Sequence, residues 1–349
     1  MIYVTSMLGP LVGVNAMKRL GLSFGWREKS LGDIVSCCRV AEEAGLESVW
    51  IPEAWGRDAF LALAAIANAT QHIKLATGII NVYSRSPAAI AMGAATLEEL
   101  SNGRAILGIG SSGPMVVERW HGLHFEQPFT RLRETITIVR QVLSGSPVNL
   151  QGKVFQVSDF RLAVYPPTRK IPVYLAALGP KMLRLAGEVA DGALLYLQPL
   201  SKIRDAIAEI RKGAERANRP SESVDVAAFL PTFISEKAEE AKQIVARAIA
   251  YYVGGMGTYY HRKVSESGFK AEADSIRAAW LRGDRAIATK EVSTGLIDSV
   301  ALAGPFEECR TKLEEFRKAG VNLPILSVSI EDKSMRQAVY DSIRSMAAE

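Results

Sequence analysis

Three side chains in this 349-residue sequence could transfer a proton during a reaction. Glu53 follows the apolar segment 48–52, and a carboxylate at a strand end can act as an acid or a base when its surroundings raise its pKa. His121, beside Trp120, is a second candidate, and the phenol of Tyr196 could donate its hydroxyl hydrogen. Glu53 could equally make a structural hydrogen bond to neighbouring loops, and His121 could be a packed loop residue.

Histidine and cysteine positions argue against a metal site. The four histidines, His72, His121, His124 and His261, are scattered along the sequence, so we predict no metal. Cys37, Cys38 and Cys309 also lack the spacing of metal ligands. We expect them to be small core residues of a protein in a reducing cytoplasm.

A strand followed by a loop and a helix lies near the centre of the pattern. Residues 73–81 are rich in β-branched side chains, and Ser86 with Pro87 is typical of a helix start, with serine as the N-cap. Gly78 stands inside the apolar strand, where glycine weakens pairing. It indicates either a simple bulge or a place where the backbone must approach another group closely.

The same strand–helix alternation runs through the chain and predicts the fold. Apolar segments at 19–25, 48–52, 73–81, 104–110, 171–176, 192–197, 224–230 and 323–329 each precede a helical pattern. Eight such units favour an α/β protein with a (β/α)₈ TIM barrel over an open doubly wound sheet. Catalytic sites of these barrels lie at the carboxyl ends of the strands, so we place the site at the strand exits.

The barrel is predicted to occupy residues 17–349 as one domain, after an N-terminal extension at 1–16. Helical or irregular insertions are expected at about 112–130, 145–171 and 254–300. A strongly amphipathic helix over 236–253 could pack its apolar face inside the chain or against a second copy.

The charge pattern restricts the class of partner. The net charge of +5 and the pI near 9.0 favour anionic ligands only weakly, because Lys and Arg are spread along the chain. No basic block with interleaved aromatic residues suggests nucleic acid. Residues 1–15 lack a basic start and are too short to span a bilayer, so we expect no signal peptide and no membrane anchor.

Four collinear motifs resemble a known family. They are Ile73-Lys-Leu-Ala-Thr-Gly78 with Tyr83-Ser-Arg-Ser-Pro87, the segment 96–110, Ala177-Leu-Gly-Pro-Lys-Met-Leu183, and Ala190-Asp-Gly-Ala193. Together they resemble the bacterial luciferase-like superfamily, specifically its deazaflavin-dependent branch that includes methylenetetrahydromethanopterin reductase. The similarity runs from about residue 18 to the end of the chain and is weakest over 254–300.

The resemblance implies a barrel of the luciferase-like type that binds coenzyme F420, an 8-hydroxy-5-deazaflavin. It implies a non-prolyl cis peptide at Gly78–Ile79 behind one face of the cofactor ring, and a cofactor phosphate at the helix start Gly179–Pro180, near Lys181. It also implies a homodimer that acts on a small-molecule substrate. The cofactor-binding residues expected on this basis are Ser23, Trp55, Thr77, Gly78, Ile79, Ile80, Asn81, Ser111, Ser112, Gly113, Ala176, Ala177, Leu178, Gly179, Pro180, Lys181, Leu195 and Tyr196.

The sequence departs from the methanopterin reductases at positions where those proteins carry carboxylates. It has Ser23 in the first strand and Gly113 after the fourth, and Glu53-Ala54 where relatives have Asp-His. Three functions therefore stay open. The first is hydride transfer between coenzyme F420 and a small organic substrate; the second is a monooxygenase that uses flavin mononucleotide (FMN); the third is a non-catalytic flavin- or deazaflavin-binding barrel.

Overall fold

The computed structural model describes residues 19–25, 27–164 and 166–348, so the predicted extension at 1–16 lies outside the described residues. The strands are β1 (Gly21–Phe24), β2 (Ser48–Ile51), β3 (Lys74–Thr77), β4 (Ile80–Asn81), β5 (Ala105–Gly110), β6 (Val148–Gln151), β7 (Gln156–Phe160), β8 (Val173–Ala176), β9 (Gly192–Tyr196), β10 (Asp225–Ile234), β11 (Leu302–Gly304) and β12 (Leu323–Val328).

The helices follow the strands in the predicted alternation. They are α1 (Leu31–Glu43), α2 (Ala59–Ala67), α3 (Pro87–Leu100), α4 (Pro128–Leu143), α5 (Pro180–Val189), α6 (Ile203–Arg216), α7 (Ala238–Ala250), α8 (Tyr259–Val264), α9 (Lys270–Leu281), α10 (Arg285–Lys290), α11 (Thr294–Val300), α12 (Phe306–Ala319) and α13 (Arg336–Ala347). Three π-helical turns occur at Met115–Trp120, Tyr251–Gly255 and Ser265–Phe269. No helix in the described ranges is long and apolar enough to cross a membrane.

Eight parallel strands close into a barrel, which confirms the predicted (β/α)₈ fold. The order around the barrel is β1, β2, β3, β5, β8, β9, β10 and β12, and β12 pairs with β1 to complete the circle. The short strand β4 continues β3 and pairs with β5. Because all strands run in one direction, their carboxyl ends share one mouth of the barrel.

Alternate strand residues divide the core into two layers. One set fills the barrel interior and includes Trp50, Tyr174 and Ile325, all 5% exposed or less. The other set packs against the helices, which turn apolar faces inward. Helix α7 buries Val245 and Ile249 in this way, so the apolar face that the sequence left open packs inside the chain.

An ion-pair network lies at the amino-terminal mouth of the barrel. Arg19 donates from Nε to Glu47 at 2.6 Å and from Nη2 to Asp225 at 2.7 Å. The Tyr174 hydroxyl donates to the same Asp225 carboxylate at 2.6 Å. The network joins side chains from or next to β1, β2, β8 and β10, so strands that are not neighbours are connected at the end opposite the predicted site.

Strand β3 ends at Thr77, and the Gly78–Ile79 peptide that follows is cis, as the resemblance implied. The glycine also marks a close approach. A Cβ atom at Gly78 would lie 3.2 Å from Cβ of Trp50 and 3.3 Å from Cζ of Phe229. Of the two explanations for Gly78, a simple bulge or a close approach of the backbone to another group, the structure supports the close approach.

Several boundaries differ from the predicted ones. Strand β10 continues to Ile234, four residues beyond its predicted end, and pairs there with β11, which the sequence pattern did not indicate. The segment 145–171 contains an antiparallel hairpin of β6 and β7. The cysteines are free and buried, as expected for small core residues.

Candidate active site

A cavity of about 890 Å³ opens at the carboxyl ends of the barrel strands. Its floor includes Gly78 and Ile79, and the loops after β1, β5 and β8 form its sides. Residues from α7, the π-helical turn Tyr251–Gly255 and α8 cover it. The volume lies in the range of pockets that bind cofactors and small molecules.

Fourteen of the twenty predicted site residues line this cavity. They are Ser23, Glu53, Gly78, Ile79, Ser111, Ser112, Gly113, Ala176, Ala177, Leu178, Gly179, Pro180, Lys181 and Tyr196. These residues come from six different strand exits, and the closure of the barrel brings them together.

Four predicted cofactor contacts instead lie inside the barrel wall. Thr77, Ile80 and Leu195 are fully buried, because they belong to the strand positions that face away from the cavity. Asn81 is 1% exposed, and its side-chain oxygen accepts a hydrogen bond from the Tyr83 backbone N–H at 2.9 Å. The structure thus gives these four residues packing and hydrogen-bonding roles.

The remaining two predicted residues lie beside the cavity and do not line it. Trp55 packs edge-on against Tyr251, with ring centroids 6.5 Å apart. His121 ends the π-helical turn Met115–Trp120, and its backbone N–H donates to the Val116 carbonyl. The structure therefore does not bring His121 into the cavity lining.

The Glu53 carboxylate is held in a hydrogen-bonded ion pair. It accepts from Nε and Nη2 of Arg85 at 3.0 and 2.9 Å and from the Ala59 backbone N–H at 2.9 Å. Three donors thus occupy the two oxygens of the carboxylate. We therefore interpret Glu53 as the residue that fixes the loop after β4 against the start of α2.

Glu28 is a buried carboxyl at the cavity, and the sequence analysis did not select it. It is 3% exposed, and it accepts from the Ile330 backbone N–H, with both oxygens at 3.1 Å. Burial raises the pKa of Glu28 above its ordinary value, and this effect outweighs the hydrogen bonds from Ser329 and Ile330. A protonated carboxyl at a cavity can donate a proton to a bound molecule.

The amino terminus of α5 faces the cavity and could bind an anion. Gly179 is the N-cap, no side chain caps the helix, and residues 179–182 all line the cavity. The free N–H groups of a first helical turn attract negative charge. Lys181 stands in that turn, and Arg247, Arg262 and Lys263 also line the cavity.

An aromatic wall, which we define as Phe229, Tyr196, Tyr252 and Tyr260, forms another side. Tyr196 lies 6.3 Å from Phe229, 4.6 Å from Tyr252 and 5.8 Å from Tyr260, between ring centroids. All three contacts are edge-to-face, which is a favourable geometry for aromatic pairs.

The site residues that the sequence analysis missed fall into two groups. Glu28 lies shortly after β1, and a wider search around that strand exit would have found it. Phe229 lies inside β10, paired with Tyr196 of β9, and no residue of that strand was selected from the sequence. Tyr252 and Tyr260 come from the segment 254–300 or its border, where the sequence has no periodic pattern. The tyrosine pairs at 251–252 and 259–260 were the available signal.

A comparison with known families agrees with this architecture. The family model described as luciferase-like monooxygenase matches residues 12–323. The chain belongs to this luciferase-like family. The motifs quoted from the sequence had indicated the same family.

Individual relatives cover nearly the whole chain. A Mycobacterium tuberculosis protein named as a coenzyme F420-dependent oxidoreductase is 31% identical over 333 residues, covering 90% of this chain and 96% of that protein. A 5,10-methylenetetrahydromethanopterin reductase of Methanolobus tindarius is 32% identical over 291 residues, covering 82% and 87%. The solved structure of the coenzyme F420-dependent tetrahydromethanopterin reductase from Methanopyrus kandleri has a TM-score of 0.84 at 29% identity, covering 96% and 98%.

Proposed function

We propose that this luciferase-like protein is a coenzyme F420-dependent oxidoreductase that transfers a hydride between the deazaflavin and a small organic substrate. The observation that carries the proposal is the match to relatives with F420-dependent names over most of both chains. The cavity supports the proposal. Fourteen of the residues predicted to bind the cofactor or to act in catalysis line it together at the carboxyl ends of the barrel strands.

The residues at the cavity fit an anionic cofactor with a planar ring. The open helix start at Gly179 and the side chain of Lys181 supply donors for a phosphate. The backbone at Gly78 and Ile79 supplies a floor without a protruding polar side chain. When bound, coenzyme F420 supplies a ring carbon that carries the hydride.

The protein's own contribution is to orient the reactants and to hold a proton. Glu28 is the carboxyl best suited to the proton, since it is buried at the cavity and its pKa is raised by burial. Glu53 is less suited, because Arg85 and the Ala59 N–H occupy its oxygens. Orientation of two bound reactants in one closed space is a large source of rate enhancement.

Equilibrium binding followed by a redox assay tests the proposal. Purified protein is titrated with oxidised coenzyme F420 and, separately, with FMN, and binding is followed by cofactor fluorescence. We expect saturable binding of F420 and weaker binding of FMN. Candidate hydride donors and acceptors are then screened for a change in the absorbance of the bound deazaflavin.

The same experiment separates the two alternative functions. Binding of FMN without F420, with oxygen consumption once the flavin is reduced, would support a monooxygenase. Binding of F420 with no change of its redox state by any donor or acceptor would support a non-catalytic binding protein. Neither alternative has a specific contact in its favour among the described residues.

We also propose that the protein acts in the cytoplasm as a homodimer. Residues 17–349 of each copy would form one barrel domain. Leu61 on α2 and Met92 on α3 expose 72% and 55% of their surfaces on helices that contact each other. Large exposed apolar side chains on adjacent helices are typical of protein interfaces. Sedimentation of the Leu61→Glu and Met92→Glu variants tests this: we expect monomers, whereas an unchanged sedimentation coefficient would exclude this interface.

A further inference from the structure

The cover of the cavity carries three cationic side chains. Arg247 belongs to the last turn of α7, Arg262 and Lys263 belong to α8, and all three line the cavity. Within the described part of the chain, none of the three forms an ion pair with a carboxylate. The guanidinium of Arg262 instead lies 5.7 Å from the ring centroid of Tyr259.

Lys263 is the least exposed of these cations. It lies one turn after Tyr260 on α8, so the two side chains share a face of the helix. Burial lowers the pKa of Lys263 below its ordinary value, and the attraction of Glu266 and Asp205 offsets this effect only in part. An ammonium group that loses water without gaining a close counter-ion is costly, and an anion that enters the cavity would reduce this cost.

The carboxylates that line the cavity do not neutralise its cover. Glu53 is held by an arginine, and Glu331 lies 3.5 Å from a lysine. Burial raises the pKa of Glu28, which favours its neutral form. Glu266, on the π-helical turn that follows α8, is exposed to solvent. The cover therefore has an excess of positive charge, which favours an anionic ligand.

The cover lies across the cavity from the floor, where we place the cofactor ring. The aromatic wall connects the two: Phe229 is next to Gly78, and Tyr196 lies 5.8 Å from Tyr260 between ring centroids. A substrate that exchanges a hydride must lie on the free face of the ring, between the ring and the cover. A charged group of that substrate would therefore meet Lys263.

We propose that the cover binds an anionic group of the substrate, a carboxylate or a phosphate ester, and that Lys263 donates a hydrogen bond to it. Arg247 and Arg262 are more exposed and add attraction from a longer distance. The inference rests on the function proposed above, because it names the substrate class for the same cavity. The start of α5 remains the proposed site of the cofactor phosphate, so the cavity would bind two anionic groups at separate places.

Binding of matched probes to the full chain, saturated with oxidised coenzyme F420, tests the inference. The anionic probes are benzoate and phenyl phosphate; benzamide is the neutral probe, and benzylammonium is the cationic one. Dissociation constants are measured by calorimetry. We expect the two anions to bind most tightly and benzylammonium most weakly, and we expect added salt to reduce the preference for anions.

The Lys263→Met variant isolates the contribution of the ammonium group. We expect its affinity for benzoate to fall about 10-fold, the effect of one hydrogen bond to a charged group, and its affinity for benzamide to stay unchanged. Lys263→Arg keeps the charge and should retain most of the benzoate affinity. Lys290→Met, an exposed position on α10 outside the cavity lining, is the control and should bind every probe like the parent protein.

The cofactor itself could supply the anion, and its affinity distinguishes this source from the substrate. If Lys263 binds the substrate, Lys263→Met should bind coenzyme F420 like the parent protein, which also shows that the variant is folded. A loss of F420 affinity in Lys263→Met, with no benzoate binding to the F420-saturated parent protein, would assign the cations of the cover to the cofactor and overturn the inference.

Two further results would overturn it. One is equal or weaker binding of both anions compared with benzamide, and the other is an unchanged benzoate affinity in Lys263→Met. Either result with normal F420 binding contradicts the substrate class alone. Failure of F420 to bind, with a preference for anions that depends on Lys263, contradicts the proposed function and leaves the anion site of the cover standing.

Discussion

The hydroxyl of Thr77 makes two hydrogen bonds with the backbone of Gly108 on the neighbouring strand. It donates to the Gly108 carbonyl oxygen at 2.7 Å and accepts from the Gly108 N–H at 2.8 Å. Main-chain pairing of β3 with β5 covers Leu75 and Ala76, and pairing resumes only with β4 at Ile80. The threonine side chain therefore continues the sheet across the interruption.

Replacement of Thr77 by valine tests this role. The variant keeps the shape of the side chain but leaves a buried N–H and a buried carbonyl of Gly108 without their partner. We expect the free energy of unfolding to fall by about 1–3 kcal/mol, measured by denaturant titration. Thr77→Ser keeps the hydroxyl and should retain most of the stability. Equal stability of the valine variant and the parent would contradict the assignment.

Glu53→Gln distinguishes a structural carboxylate from a catalytic one. The change removes the charge that pairs with Arg85, whose side chain is only 24% exposed. We expect a loss of about 1–3 kcal/mol in the free energy of unfolding and little change in the affinity for coenzyme F420. If the variant were as stable as the parent but unable to exchange hydride, Glu53 would be the proton-transfer group after all.

Glu28→Gln should change how stability depends on pH. Burial raises the pKa of Glu28 above 4.5, so the folded protein keeps this proton to a higher pH than the unfolded chain does. The resulting stabilisation is complete below about pH 4.5 and is lost as the pH rises through the folded-state pKa. Glutamine cannot ionise, so the variant should gain stability relative to the parent as the pH rises from 4 to 8.

Denaturant titrations at several pH values measure this difference. Glu99→Gln is the matched control, because its side chain is exposed on α3 and lies outside the cavity lining. We expect the control to follow the parent at every pH. A pH-independent difference between Glu28→Gln and the parent would show that the Glu28 carboxyl is not perturbed in the folded protein.

Lys181→Met tests the anion site at the start of α5. Loss of the cation should weaken coenzyme F420 binding about 2- to 5-fold at low ionic strength, as expected for an exposed charge pair. The difference from the parent should shrink as salt is added, because screening weakens the same interaction. Lys290→Met, an exposed lysine on α10, is the control. A salt-independent loss of affinity would exclude a direct charge interaction.

The barrel and most of its site were predictable because they depend on local patterns. Each strand exit could be located from an apolar segment and a helix start, as with Ser86, whose hydroxyl accepts from the Ala89 N–H at 3.2 Å. Because the strands are parallel and the barrel is closed, the strand exits meet at one mouth even when the predicted strand boundaries are a few residues off. The resemblance to the luciferase-like superfamily then indicated Gly179 and Lys181 at the start of α5.

The errors have two physical sources. The resemblance did not reveal which way each side chain points where β3 is interrupted, so Thr77, Ile80 and Asn81 were expected at the cofactor, whereas their side chains are buried in the wall. Tyr252 and Tyr260 of the aromatic wall come from a region with π-helical turns and no regular repeat. Their positions depend on tertiary packing, which a single sequence does not encode locally.

The network of Arg19, Glu47, Asp225 and Tyr174 closes the barrel at the mouth opposite the cavity. The bonds that join distant strands are thus separated in space from the residues that select a ligand. Substitutions in the cover that carries Tyr252 and Tyr260 can therefore change which ligands bind while the barrel stays folded. A new specificity can be engineered in this cover without redesign of the barrel.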